Sequence, residues 1–143
     1  MGELFAVDFD GSNPDMLAGF RASNERAGSR LGGTRKADRA AVSMIDVLED
    51  DEDHILIIKF PFSPDGWNYS MDGKKPPIVS KLNVYSGKQK TVERLQFKLA
   101  RPLTDKQGEV RFVSYQTEDG LTKSAYRSNT VSYTHLTLPT IAV

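Results

Sequence analysis

Short apolar runs with a period of two, separated by turn-forming clusters, constrain this chain more than any other feature. Leu95, Phe97 and Leu99 alternate with Arg94, Gln96 and Lys98, and Ile78, Ser80, Leu82 and Val84 alternate with Val79, Lys81, Asn83 and Tyr85. Successive side chains of a strand point to opposite faces, so such segments fold as strands with one oily side. His54 to Phe60 holds the unbroken run Ile55, Leu56, Ile57 and Ile58, which predicts a central strand covered on both faces. Further strands are expected over 42–48, 91–100 and 110–115, with another beginning at Ser124. The turns fall at Glu49 to Asp53, Ser86 to Gln89, Asp105 to Gly108 and Glu118 to Gly120, and Pro61, Pro64, Gly66 and Gly73 break the chain into a long loop through Pro77. The expected class is mainly β, an antiparallel sandwich or barrel.

The first forty residues read differently. Glu3 to Val7 suits a short strand, and Asp8 to Ser12 a turn. Asn13 then stands as a helix N-cap, with Pro14 at the first helical position and Asp15 near the positive end of the dipole. Met16, Leu17 and Phe20 recur at helical spacing, so a short N-terminal helix from Pro14 to about Ala27 is expected. Gly28 to Ala40 holds three glycines and four basic residues with little to bury, the composition of a flexible arm. The expected organisation is an N-terminal strand and helix segment over 1–27, a linker over 28–40, a β domain over 41–130, and a separate tail over 131–143.

Composition narrows the function classes. The chain has no cysteine, which excludes disulfides, thiolate metal sites and a cysteine nucleophile within it. Lysine plus arginine equals aspartate plus glutamate, so no global field draws it to nucleic acid or an anionic membrane. No stretch approaches the roughly 18 apolar residues of a membrane span, and the first residues lack the pattern of a secretory leader. A soluble protein without a cleaved leader is expected, cytoplasmic or part of a virion, with an extracellular setting kept open. Protein partners or self-association are expected, not membrane or nucleic acid, and no cofactor.

Residues that carry chemistry are few. Asp8 and Asp10, in Phe5 to Ser12, resemble the Asp-x-Asp-Gly signature of haloacid dehalogenase-like phosphotransferases, which implies a nucleophilic carboxylate and a magnesium site at a strand end. Ser12 stands where that family has threonine, and a turn rich in Asp and Gly reads the same residues without chemistry. The acidic run Glu49 to Asp53 reads as a solvated turn, and His54 beside it as a polar residue at a strand end. Arg30, Arg35, Lys36 and Arg39 on the arm, and Lys81, Lys88, Lys90, Arg94, Lys98 and Arg101 on the strands, are basic positions that phosphates contact in other proteins. A disordered spacer is the stronger account of the arm, and solvated sheet polarity, with Glu93 among them, the stronger account of the strand positions.

Three resemblances complete the reading. Phe60 to Ser70, with Pro76, Pro77, Ser86, Gly87 and the alternation of Leu95 to Leu99, resembles the β-rich part of phage tail and contractile-injection baseplate proteins. It implies a non-enzymatic assembly component, with Trp67, Tyr69 and Phe62 as interface anchors. Leu95 to Leu103 and Tyr115 to Gly120 resemble calcium-binding sandwich repeats of extracellular adhesion proteins, which implies Glu118 and Asp119 as ligands. Val131 to Thr140 resembles, over ten consecutive residues, one translated frame of the transposon-end adapter used in shotgun sequencing libraries. That resemblance implies an uncurated community assembly as source and a β domain that is C-terminally truncated at about Thr130.

Overall fold

A computed structural model describes residues 2–22, 37–63, 75–128 and 133–136. Their regular elements are all β-strands. β1 (Leu4–Ala6) and β2 (Asp15–Ala18) form a two-stranded hairpin; β3 (Ala40–Val47), β4 (His54–Pro61), β5 (Ile78–Asn83) and β6 (Gln89–Arg94) follow one another as a four-stranded sheet. β7 (Arg101–Thr104), β8 (Val110–Gln116), β9 (Thr122–Tyr126) and β10 (Thr134–Leu136) make a second four-stranded sheet in the same sequential order. Every pairing is antiparallel. The sheets share no strand, so they stack as a sandwich and do not close into a barrel.

The double-sided burial expected of Ile55 to Ile58 is what organises the stack. Leu56 and Ile58 face the second sheet and share a cluster with Val79 of β5, with Leu95, and with Val113, Tyr115 and Ala125 of that sheet. Ile57 and Leu82 face the opposite way, into a cluster with Val42, Leu17 and Ala18. The β1–β2 hairpin is therefore a third layer over the outer face of the first sheet. Leu56, Ile57 and Ile58 are 1%, 0% and 5% exposed.

The structure replaces the expected N-terminal helix with β2. Asn13 does not cap a helix; its φ of 51° and the φ of 83° at Gly11 turn the chain back on itself. The turn is closed by Gly11 N–H donating to the Asp8 carbonyl (2.8 Å) and Asp8 N–H donating to the Ser12 carbonyl (2.9 Å). Pairing with β2 satisfies the backbone of β1 on one side, and Leu17 and Ala18 gain the apolar surface of the first sheet; tertiary burial of this kind outweighs local helix signals. Residues 23–27 of the expected helix and 28–36 of the expected arm lie outside the described residues.

A second correction concerns 91–100. β6 ends at Arg94, and 95–100 crosses from the edge of one sheet to the edge of the other. Leu95 and Ala100 are buried, Phe97 packs against the core, and Leu99, at a φ of 50°, is partly exposed. Leu95, Phe97 and Ala100, not the full alternation that suggested a long strand, anchor this crossover inward.

Polar pins fasten the layers. Asp38 accepts from the Gly19 amide (3.3 Å) and from Gln89 Nε2 (2.9 Å), and Lys59 Nζ donates to Gln89 Oε1 (2.8 Å). The Thr104 hydroxyl donates to Asp46, tying β7 to β3. If double-sided burial of β4 holds the stack, Ile57→Ala lowers unfolding free energy by about 2–5 kcal/mol in chemical denaturation. Val92→Ala, at a half-exposed site on β6, stays within about 0.5 kcal/mol.

Candidate functional site

Asp8 and Asp10 occupy the exposed tip of the β1–β2 hairpin. Ser12 holds them together: its amide donates to Asp10 Oδ1 at 2.9 Å and its hydroxyl reaches both carboxylates, while Asn13 Nδ2 donates to Asp8 Oδ2 at 2.7 Å. The Ser12 hydroxyl and amide lower the Asp10 carboxyl below its ordinary value. Each carboxylate thus serves the turn's own hydrogen bonds. The tip belongs to an antiparallel hairpin, whereas the phosphotransferase resemblance implies a parallel sheet with crossover helices.

His54 is less isolated than its place in the sequence suggests. The turn between β3 and β4 brings Asp51 alongside, so that His54 Nδ1 donates to Asp51 Oδ1 at 2.7 Å. Lys81 Nζ, from β5, reaches the other Asp51 oxygen at 3.4 Å. Asn83 Nδ2 faces His54 Nε2 at 3.5 Å, at the long end for a hydrogen bond. The orientation of Asn83 is set by its own Oδ1, which accepts from the amides of Tyr85 and Ser86 and from the Ser86 hydroxyl. Asp51, His54, Asn83 and Ser86 therefore form a chain of contacts across one end of the first sheet. The Ser86 hydroxyl donates to Asn83 and not to the imidazole, so the chain fastens two turns together and does not activate a nucleophile. Sequence reasoning missed Asp51 as a partner; the signal was its place three residues before His54 in a tight turn.

A second polar centre joins β6 to the residue that follows β9. Arg127 meets Glu93 through two hydrogen bonds, 3.0 and 2.6 Å, with both side chains largely covered. Arg127 Nε donates to the Val110 carbonyl at 2.8 Å. The Phe97 and Tyr115 rings stack beside this pair, centroids 4.0 Å apart. None of these four side chains was singled out from the sequence as one site, because crossover and register alone bring them together.

On the opposite side of the sandwich, an open groove of about 770 Å³ runs between β3–β4 and β7–β8, lined by Ile45, Ile58, Phe60, Pro102 and Tyr115 with Arg101 at hand. Phe62, expected at an interface, is 6% exposed, its ring edge-on to Phe20 at 6.3 Å inside the molecule. Trp67 and Tyr69 lie outside the described residues. Glu118 and Asp119 sit in the exposed turn between β8 and β9, closed by Thr117 through hydrogen bonds with Leu121. Among the described residues no group of three or more His, Asp or Glu is placed to hold a metal ion, and no helix is long and apolar enough to cross a membrane.

The Asp51 carboxyl is held below its ordinary value of 3.8, first by the hydrogen bond from His54 and then by Lys81. A carboxyl depressed on folding stabilises the fold fully above its unfolded value, and that contribution is lost as pH falls through the folded one. His54→Ala is accordingly expected to flatten the pH dependence of unfolding free energy below about pH 4, measured by denaturant titration at a series of acid pH values. Compared with family models, with curated proteins and with solved structures, the chain matches none.

Proposed function

We propose that this chain is a non-enzymatic assembly module that associates with further copies of itself, and that its setting is a phage tail or contractile-injection baseplate. One observation carries the self-association. Along β1 and the residues after it, Leu4 and Ala6 turn inward onto the first sheet, while Phe5 and Val7 are 61% and 59% exposed and Phe9 is fully exposed. The outermost layer of the stack thus presents three large apolar side chains, Phe5 on β1, Val7 just after it and Phe9 in the hairpin turn. Contiguous apolar surface of this kind marks interaction sites in folded proteins. A row of uncharged side chains is also compatible with itself, as a two-fold contact between copies requires.

The setting is supported by the resemblance of 60–99 to baseplate proteins and by a layered antiparallel architecture suited to stacking. Tail and baseplate genes beside the coding sequence are the context this reading expects; a metabolic neighbourhood counts against it.

Self-association is measured by sedimentation over a wide range of protein concentrations. The unaltered chain is expected to shift from monomer to dimer, and the double variant Phe5→Ser, Phe9→Ser to remain monomeric with an unfolding midpoint close to that of the parent. A parent chain that stays monomeric throughout would remove the reading.

A further inference from the structure

The sandwich is open along one margin. β3 and β7 are edge strands of their two sheets, and the Thr104 hydroxyl ties them together at the Asp46 end. From there back to Ser43 and Arg101 the two edges belong to separate sheets, and the groove of about 770 Å³ lies between them. That volume falls within the roughly 300–1,000 Å³ typical of small-molecule sites. The floor of the groove is the core itself: Ile58 and Tyr115 belong to the cluster between the sheets, and Ile45 and Phe60 pack against it from β3 and β4.

Two local irregularities shape the walls. The register of β3 with β4 shifts between Met44 and Asp46, which leaves Ile45 without a partner on β4. Bulges of this kind are common beside binding sites, where they re-aim a side chain. On the side of the second sheet, Leu99 lines the groove at a φ of 50°, a left-handed conformation that bulky residues rarely adopt. Strained residues persist where their surroundings hold them, and they cluster at ligand clamps.

Charge decides what such a groove accepts. Among the described residues no aspartate or glutamate lines it, and its single cation is Arg101. The Arg101 guanidinium has no hydrogen-bond or ion-pair partner among those residues, whereas Arg21, Arg111 and Arg127 are each paired with a carboxylate. A guanidinium presents a planar fork that matches one carboxylate through two parallel hydrogen bonds. The apolar floor beside it favours a hydrocarbon chain withdrawn from water.

We propose that this groove binds a single-chain carboxylate amphiphile of the fatty-acid class, its carboxylate on Arg101 and its alkyl chain along Ile45, Ile58 and Phe60. The groove shares no residue with the exposed hairpin tip, so this inference is independent of self-association through that layer.

The test titrates the full chain with dodecanoate, kept below its micelle threshold, and follows the backbone amide resonances and the thermal midpoint. Saturable shifts are expected at Ser43 to Ile45 and at Ser114 to Gln116, with a rising midpoint, since a ligand held by the folded state stabilises it. Arg101 is exposed, so Arg101→Gln is expected to keep the parent's midpoint without ligand. It is expected to bind dodecanoate about tenfold more weakly, the loss of hydrogen bonds to a charged group. Dodecyltrimethylammonium, with the same chain and the opposite charge, is expected to give no saturable shift in the groove. Equal affinity of the parent and Arg101→Gln, or equal binding of the cationic amphiphile, would overturn the proposal. So would shifts confined to Phe5 to Phe9, or a falling midpoint without saturable groove shifts. Groove shifts that grow with protein concentration in the absence of dodecanoate would overturn it too, by assigning the groove to a second copy.

Discussion

The fold depends on a strand that has no solvent face. Ile55 to Ile58 on β4 alternate between two apolar clusters, so a single sheet cannot bury the run whichever way it is turned. A layer is required on each side. The second sheet supplies one and the β1–β2 hairpin the other, and the register of β4 with β3 and β5 is fixed by this demand, since a slip of one residue exchanges its two faces. Burial of each such aliphatic side chain contributes about 1.5–3 kcal/mol, which makes β4 the element to which its neighbours are fitted.

Polar contacts then determine how the layers meet at their margins. Asp46 and Thr104 join the sheets along the β3 and β7 edges, and Glu93 and Arg127 join them along β6 and β9. The Asp38, Gln89 and Lys59 cluster does the same for the hairpin layer, reaching from the residues before β3 to β4 and β6. These groups are partly buried and hydrogen-bonded, and removing one partner of such a pair strands the other. They fix alignment where apolar packing is indifferent to small slides. The same logic places Asp51, His54 and Asn83 across the turns at one end of the first sheet.

β3, β4, β5 and β8 were legible because burial on one face writes a period of two, and burial on both faces writes an unbroken run; β7 (Arg101–Thr104) was not, because Pro102 reads as the end of a strand and here lies within one. β4 is the clearest case. The N-terminal hairpin was not legible, because Met16, Leu17 and Phe20 fit helical spacing as well as they fit a strand, and the cap-like Asn13 serves equally as a left-handed turn residue. Leu95 and Phe97 misled in the same way, since inward anchors of a crossover and inward residues of a strand share one pattern; Leu99, the third of the alternation, is exposed. Asp8 and Asp10 were identified as a pair and do lie together, at the hairpin tip. The sites built from distant residues were hidden. Glu93 and Arg127 are 34 positions apart, and only the register of two different sheets brings them into contact.

The proposed self-association rests on what this architecture leaves on its outside, the exposed apolar side chains of the hairpin layer. That layer in turn depends on the three-layer stack with β4 at its centre. Native-state hydrogen exchange tests that most directly. The amides of Leu56, Ile57 and Ile58 are predicted to open only with the whole molecule, at a free energy equal to that of global unfolding. Exchange of these amides through a local opening at markedly lower free energy, like that of an edge strand, would contradict the account.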